Sequence, residues 1–183
     1  MIEEIKVIFL DIDGVINSLR SFTAFKPYNP EDDLELETIA TCDPVSVKLI
    51  NMIVEQTKAK IVVSSSHRIY FHSRYASRFQ ETSFLGFDLD KLQLYISSLG
   101  IFGEVIDATP IFDGEKRGEE VNGWLNEFPA KFPLYALSRY AIFDDTTDFL
   151  AEQASKLVLS TFDNGFSIDN YKRALLILGD DIA

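Results

Sequence analysis

Aspartates stand in two close pairs in this sequence, each at the end of an apolar run. The first run reads Val7-Ile8-Phe9-Leu10-Asp11-Ile12-Asp13-Gly14-Val15-Ile16-Asn17. Side chains two apart on a strand point the same way, so Asp11 and Asp13, just past the end of such a strand, can both reach one ion or one phosphoryl group. Gly14 then lets the chain turn away. Asp-x-Asp-Gly also suits an Asx-rich turn or a calcium loop, and it is the apolar run in front that favours catalysis. The second run, Tyr140-Ala141-Ile142-Phe143, stops at Asp144-Asp145, followed by Thr146-Thr147-Asp148. Two buried strands that each end in paired acids repel one another unless a hard cation lies between them. Mg²⁺ answers this need, since it takes few carboxylates and completes its shell with waters and phosphate oxygens. Asp145 or Asp148 also suits as the cap of a short helix through Phe149 and Leu150, and for Asp148 capping or support of a ligand competes with direct ligation.

Two further groups suit phosphoryl chemistry. Ile61-Val62-Val63 ends in Ser64-Ser65-Ser66-His67-Arg68. A hydroxyl at a strand end can bind a transferring phosphoryl oxygen, and Arg68 can take a phosphate bidentately, although serine runs are also helix-entry signals. Lys116-Arg117 precedes Gly118-Glu119-Glu120 at the start of a helix, the wrong end for a cation in the field of the helix dipole. A cation placed there suggests another use, neutralising a nucleophilic carboxylate and its phosphoryl adduct, and Arg117 is the better choice of the two; a solvated surface pair is the plainer alternative.

The elements that would position these residues follow from hydrophobic spacing. Strands are expected at Ile5–Leu10, Ile61–Val63, Glu104–Ala108, Tyr140–Phe143 and Leu157–Leu159, with helix-period segments between most of them. This alternation predicts an α/β fold with a parallel sheet. The first helix opens at Asp43-Pro44 and places Val47, Ile50, Ile53 and Val54 on one face. The next carries Leu89, Leu92, Ile96 and Leu99 and stops at Gly100. A third carries Val121, Trp124, Leu125 and Phe128 and should stop before Pro129, and the last begins at Ser167. Two excursions break the rhythm, residues 18–41 and 67–87. Both follow strands, where open α/β sheets shape their ligand sites, so residues 18–41 are expected as a loop or flap insertion near the site or as a plain cover for the core. In the second excursion His67, His72, Arg68, Arg74 and Arg78 form a basic patch able to guide a phosphorylated substrate. Its aromatics Tyr70, Phe71, Tyr75 and Phe79 could meet an aromatic leaving group, although ordinary surface arginines over buried aromatics is the safer reading.

Composition narrows the class. A chain of 183 residues, 46% hydrophobic, fits one globular domain over residues 1–183. A net charge of -12 does not favour nucleic acid as a partner. Cys42 is the single cysteine, which excludes an intrachain disulfide and a cysteine-rich zinc site and suits a reducing, cytoplasm-like setting. No basic stretch leads into an apolar signal core, and no apolar run nears the roughly 20 residues of a transmembrane segment. The expectation is a soluble protein, cytoplasmic or exported by a signal-less route, of undetermined oligomeric state.

Taken in order, Asp11-x-Asp13-Gly14-Val15-x-Asn17, Ser64-Ser65-Ser66-x-Arg68, Arg117-Gly118-Glu119-Glu120 and Asp144-Asp145 resemble the four motifs of haloacid dehalogenase (HAD) superfamily phosphatases across roughly residues 5–165. More loosely they are similar to the small, nearly capless group of RNA-repair proteins and polynucleotide phosphatases. The resemblance implies a three-layer Rossmann-like fold with a parallel sheet in the order 3-2-1-4-5 and a minimal cap. It also implies a Mg²⁺-dependent phosphomonoester hydrolase working through an aspartyl-phosphate. Asp11 would be nucleophile and metal ligand, and Asp13 acid and base as well as a ligand through its carbonyl. Ser64 would bind the phosphoryl group, with Ser65 as the alternative register. Arg117 would be the basic group, with Lys116 competing, and Asp144 and Asp145 would complete the metal site. Ser65, Arg68, Gly14 and Asn17 form the expected substrate-binding set. A site without a large cap would be open to a phosphoprotein such as a phosphotyrosine protein, with a polynucleotide 3′-phosphatase and a noncatalytic phospho-ligand module as the alternatives.

Overall fold

A computed structural model describes residues 2–25, 42–72, 86–112, 114 and 116–179. Its centre is a five-stranded sheet of β1 (Glu3–Leu10), β2 (Lys60–Val63), β3 (Val105–Ala108), β4 (Tyr135–Asp144) and β5 (Leu157–Leu159), in the order β3-β2-β1-β4-β5. Every neighbouring pair is parallel. Five helices accompany it among the described residues: α1 (Leu19–Phe25), α2 (Pro44–Thr57), α3 (Leu89–Ser98), α4 (Arg117–Lys131) and α5 (Ile168–Leu178). Short 3₁₀ helices occupy Ser66–Phe71 and Ala151–Lys156.

The sheet is parallel because β1 is apolar on both faces. Val7, Ile8, Phe9 and Leu10 are wholly buried, the continuous pattern of a central strand covered on both sides. Ile8 and Leu10 belong to the core formed with Ile50 and Ile53 of α2, Leu92 and Ile96 of α3, and Ala174 and Leu178 of α5. Val7 and Phe9 face the other way, into Val121, Trp124 and Phe128 of α4. The Phe9 and Trp124 rings meet edge to face at 5.2 Å, and the buried indole N–H donates to Asp107 Oδ2 at 2.8 Å. The helix starts are capped as the sequence suggested: Asp43 accepts from Val45 N, and Ser167 from Asn170 N.

Three differences from the sequence reading have physical causes. β4 begins at Tyr135 rather than Tyr140, because its first half pairs with Glu3–Lys6 while staying partly exposed and therefore shows no apolar run. Helix α4 runs through Pro129 to Lys131, since a proline in the last turn costs one carbonyl its donor while Phe132 N still closes on Phe128 O at 2.8 Å. The segment after Asp145 is a 3₁₀ helix entered at Leu150, whose N–H donates to Gln153 Oε1, so neither Asp145 nor Asp148 caps it.

Of residues 18–41, Leu19–Phe25 is helical and residues 26–41, on which the flap reading rests, lie outside the described residues. Arg74, Tyr75, Arg78 and Phe79 of the basic, aromatic patch also lie outside them. The described parts of both excursions hold α1 and one 3₁₀ turn, and the expectation of a minimal cap rests on residues outside the described ones. No helix among the described residues is long and apolar enough to cross a membrane.

Candidate active site

Register brings the motifs together. Leu10 pairs with Val63 on one side and Phe143 on the other, so the next residue of each strand, Asp11, Ser64 and Asp144, lies side by side at the carboxyl edge of the sheet. The ladder continues one step beyond, with Asp11 N donating to Phe143 O at 3.0 Å and Ser64 N to Leu10 O at 2.9 Å. By strand alternation Asp11 follows Phe9 and Asp144 follows Ile142, both on the α4 face. There the first residue of α4 meets them, with Arg117 Nη2 lying 4.0 Å from Asp11 Oδ2.

Asp11, Asp144 and Asp145 each offer an oxygen within 4.8 Å of the others, a grouping able to hold a metal ion. Asp11 and Asp144 are buried. Burial pushes the Asp11 carboxyl up to about 6; Arg117 opposes the rise, Asp144 adds to it, and hydrogen bonds from Ile12 N and Ser65 hold it down. Burial, followed by Asp144, likewise raises Asp145. Asp144 Oδ1 accepts from the Thr146 N–H and hydroxyl at 2.9 and 2.7 Å, whereas its Oδ2 is buried with no hydrogen-bond partner. Burial disfavours the charge of Asp11 and Asp145, and with one buried Asp144 oxygen left over the trio fits a hard divalent cation.

The Asp13 carboxylate stands outside this trio. Its Oδ1 accepts from Asn17 Nδ2 at 2.8 Å and its Oδ2 lies 3.0 Å from His67 Nε2. These contacts, His67 first, hold it below the usual carboxylate range and raise His67 in turn. Asp11 and Asp13 therefore have different environments, one buried beside acids and one half-exposed beside donors.

The remaining expected residues divide. The Ser64 hydroxyl is buried without a partner, while the Ser65 hydroxyl caps the 3₁₀ helix by accepting from His67 N and contributes to holding the Asp11 carboxyl down. Gly14 has φ +71°, and a Cβ there would lie 2.2 Å from Asp145 Oδ2; its absent side chain is what lets the two loops approach.

Two residues of the expected substrate-binding set have their polar atoms engaged by the protein itself. Asn17 is 1% exposed and spends its amide within its own loop, on Asp13 and Gly14 N, rather than facing the cleft. Arg68 is 3% exposed. Its Nε donates to Thr109 O, Nη1 to Ser64 O and Ser65 O, and Nη2 to Pro110 O and the Glu120 carboxylate, which engages all of its donors. The 3₁₀ turn carries the guanidinium to the ends of β2 and β3 and to α4, which it braces, while Arg68 also lines the cleft beside Arg117.

Lys116 and Arg117 separate cleanly. Lys116 is exposed and 3.8 Å from Asp148, whereas Arg117 is turned inward with a buried Nη1 that has no partner. Asp148 caps α4 from a different segment, its carbonyl accepting from Gly118 N at 2.9 Å and its Oδ2 from Arg117 N at 3.4 Å. A cleft of about 360 Å³ opens beside Arg117, lined by Ser66, Ile69, Ile111, Thr146 and Asp148 among others.

Sequence reasoning assigned His67 only to the basic patch and gave Tyr95 and Glu120 no role. His67 follows directly on a serine run at a site-bearing strand end, a signal that was available. Tyr95 and Glu120 have no local signal, being brought in by α3 and α4.

Residues 7–170 match the family described as the HAD domain in Swiss Army Knife RNA repair proteins, and the chain belongs to that family. The sheet order and the acidic strand ends are those of a HAD-type hydrolase domain. Comparison with curated proteins and with solved structures gave no match.

Proposed function

We propose that the protein is a Mg²⁺-dependent phosphomonoester hydrolase that works through an aspartyl-phosphate on Asp11. The observation carrying this reading is the division of labour between the two aspartates of one strand end. Asp11 joins Asp144 and Asp145, while Asp13 is drawn off to His67 and Asn17. Asp11, Asp144 and Asp145, with the Asp13 carbonyl, would hold the ion, which when bound supplies neutralising charge to the phosphate and to the crowded carboxylates. In the first displacement an Asp11 oxygen attacks phosphorus, the bond to the leaving oxygen breaks, and Asp13 gives that oxygen its proton. In the second, water attacks phosphorus, loses a proton to Asp13 and releases Asp11. Arg117 balances charge on Asp11 and the phosphoryl oxygens, and a serine hydroxyl of residues 64–65 donates to one of them.

For the substrate, the family's occurrence in RNA repair proteins favours a 3′-phosphorylated RNA end, and the net charge of -12 favours a phosphoprotein. We rank the RNA end first, because the family description concerns this same domain whereas net charge speaks only to nonspecific attraction. The test is hydrolysis of p-nitrophenyl phosphate with Mg²⁺, with EDTA and with Asp11→Asn, then of 3′-phosphorylated oligonucleotides and phosphotyrosine peptides. Turnover lost in both controls supports the reaction, and the panel chooses the substrate. A folded, Mg²⁺-binding protein that turns over none of them is a phospho-ligand module instead.

A further inference from the structure

Asp13 lies beyond β1 on the turn at residues 13–16, with its side chain about half exposed, so packing alone does not fix its carboxylate. Two donors do. Asn17 belongs to the same loop and moves with it, whereas His67 reaches in from the 3₁₀ turn after β2. An ionised carboxylate only accepts, so the hydrogen between His67 and Asp13 belongs to Nε2. The opposite ring nitrogen, Nδ1, lies 2.6 Å from the Tyr95 hydroxyl on α3. The His67 and Tyr95 rings are stacked, 24° apart in plane, and Phe71 packs on Tyr95 with ring centres 5.2 Å apart. The line Tyr95–His67–Asp13 thus ties helix α3 through the β2 loop to the end of β1.

We propose that His67, oriented by Tyr95, is the positioning residue that aims Asp13 at the leaving oxygen. This rests on the phosphatase reading above and adds to it the group that sets the geometry of proton transfer. Asp13, ionised in the resting site, takes up a proton from solvent; when the bond between phosphorus and the leaving oxygen breaks and the Asp11–phosphorus bond forms, that proton passes from Asp13 to the leaving oxygen. When water displaces Asp11, its proton returns to Asp13. His67 keeps its own Nε2 hydrogen throughout and touches no reacting atom. Its contribution is orientation, and a misplacement of about 1 Å in such a group can cost roughly 100-fold in rate.

A structural role and a positioning role separate by leaving group. A p-nitrophenolate departs with little help, whereas phenolate needs the proton, so kcat/KM for the two esters reports the acid directly. In His67→Ala the loss of kcat/KM on phenyl phosphate is expected to exceed that on p-nitrophenyl phosphate by ~10-fold or more, a part of the roughly 10²–10⁴-fold that a general acid contributes. His67→Gln, which keeps a donor toward Asp13, should recover part of the phenyl phosphate rate. Tyr95→Phe, which removes one hydroxyl from an intact ring, should show the same selectivity on a smaller scale, and serves if His67→Ala folds poorly. In an Asp13→Asn background the His67 substitution should add nothing. Equal losses on both esters, or no loss, in folded variants overturns the proposal while leaving the phosphatase reading intact. Absence of wild-type turnover on either ester overturns both.

Discussion

Replacing Arg68 tests the structure against the most natural sequence expectation, that an arginine just beyond a site strand binds phosphate. Its guanidinium is buried, and its carboxylate partner Glu120 is only 7% exposed. Arg68→Ala leaves that carboxylate buried without its counter-ion, which costs about 3–5 kcal/mol. Four carbonyl oxygens also lose a donor, each worth about 1 kcal/mol where water does not replace it. Taking the ion pair alone as the floor, and about 2–4 °C per kcal/mol for a chain of this size, the melting temperature should fall by roughly 6–20 °C. The assay is thermal and urea unfolding of Arg68→Ala, Glu120→Met and the double variant Arg68→Met/Glu120→Met. The double variant should be more stable than either single one, because two apolar side chains strand no charge. KM measured well below the transition should change little. An Arg68→Ala protein as stable as wild type, with KM raised tenfold or more, would refute the bracing role and restore Arg68 to the substrate.

Other substitutions probe the site itself. Arg117→Ala should lower kcat/KM at least ~100-fold, the scale of losing an electrostatic stabiliser, whereas Lys116→Ala, on an exposed side chain 3.8 Å from Asp148, should stay near wild type in the same assay. Gly14→Ala forces a Cβ to 2.2 Å from Asp145 Oδ2 at a positive φ; weakened Mg²⁺ binding by calorimetry and a stability loss of about 1–2 kcal/mol are expected. Mg²⁺ at about 100 times its Kd should stabilise the wild type by about 2.7 kcal/mol, roughly 5–11 °C in melting temperature. In Asp144→Asn that shift should largely vanish, and an undiminished shift would place the ion elsewhere.

The sheet was legible because buried parallel strands read as unbroken apolar runs, which is why Val7–Leu10 and Ile61–Val63 stand out while the half-exposed Tyr135–Arg139 does not. The acids were legible for a related reason: strand ends in register must meet, so Asp11 and Asp144 needed no more than their positions after Leu10 and Phe143. Direction was not legible. Nothing local shows that the turn after Ser65 rolls Arg68 inward to a glutamate 52 positions away, or that His67 finds a tyrosine 28 positions away. The contacts of Asn17 were not legible for the opposite reason, its partners Asp13 and Gly14 being in its own loop, where a short polar side chain readily satisfies nearby groups.

The most direct test of the central claim is to trap the covalent intermediate. Wild-type protein turning over p-nitrophenyl phosphate with Mg²⁺ is quenched in acid and its peptides are mapped by mass spectrometry. The account predicts one phosphoryl group on Asp11 in the peptide containing Asp11-Ile12-Asp13 and none in Asp11→Asn. Phosphate on another residue, or turnover that persists in Asp11→Asn, would contradict it.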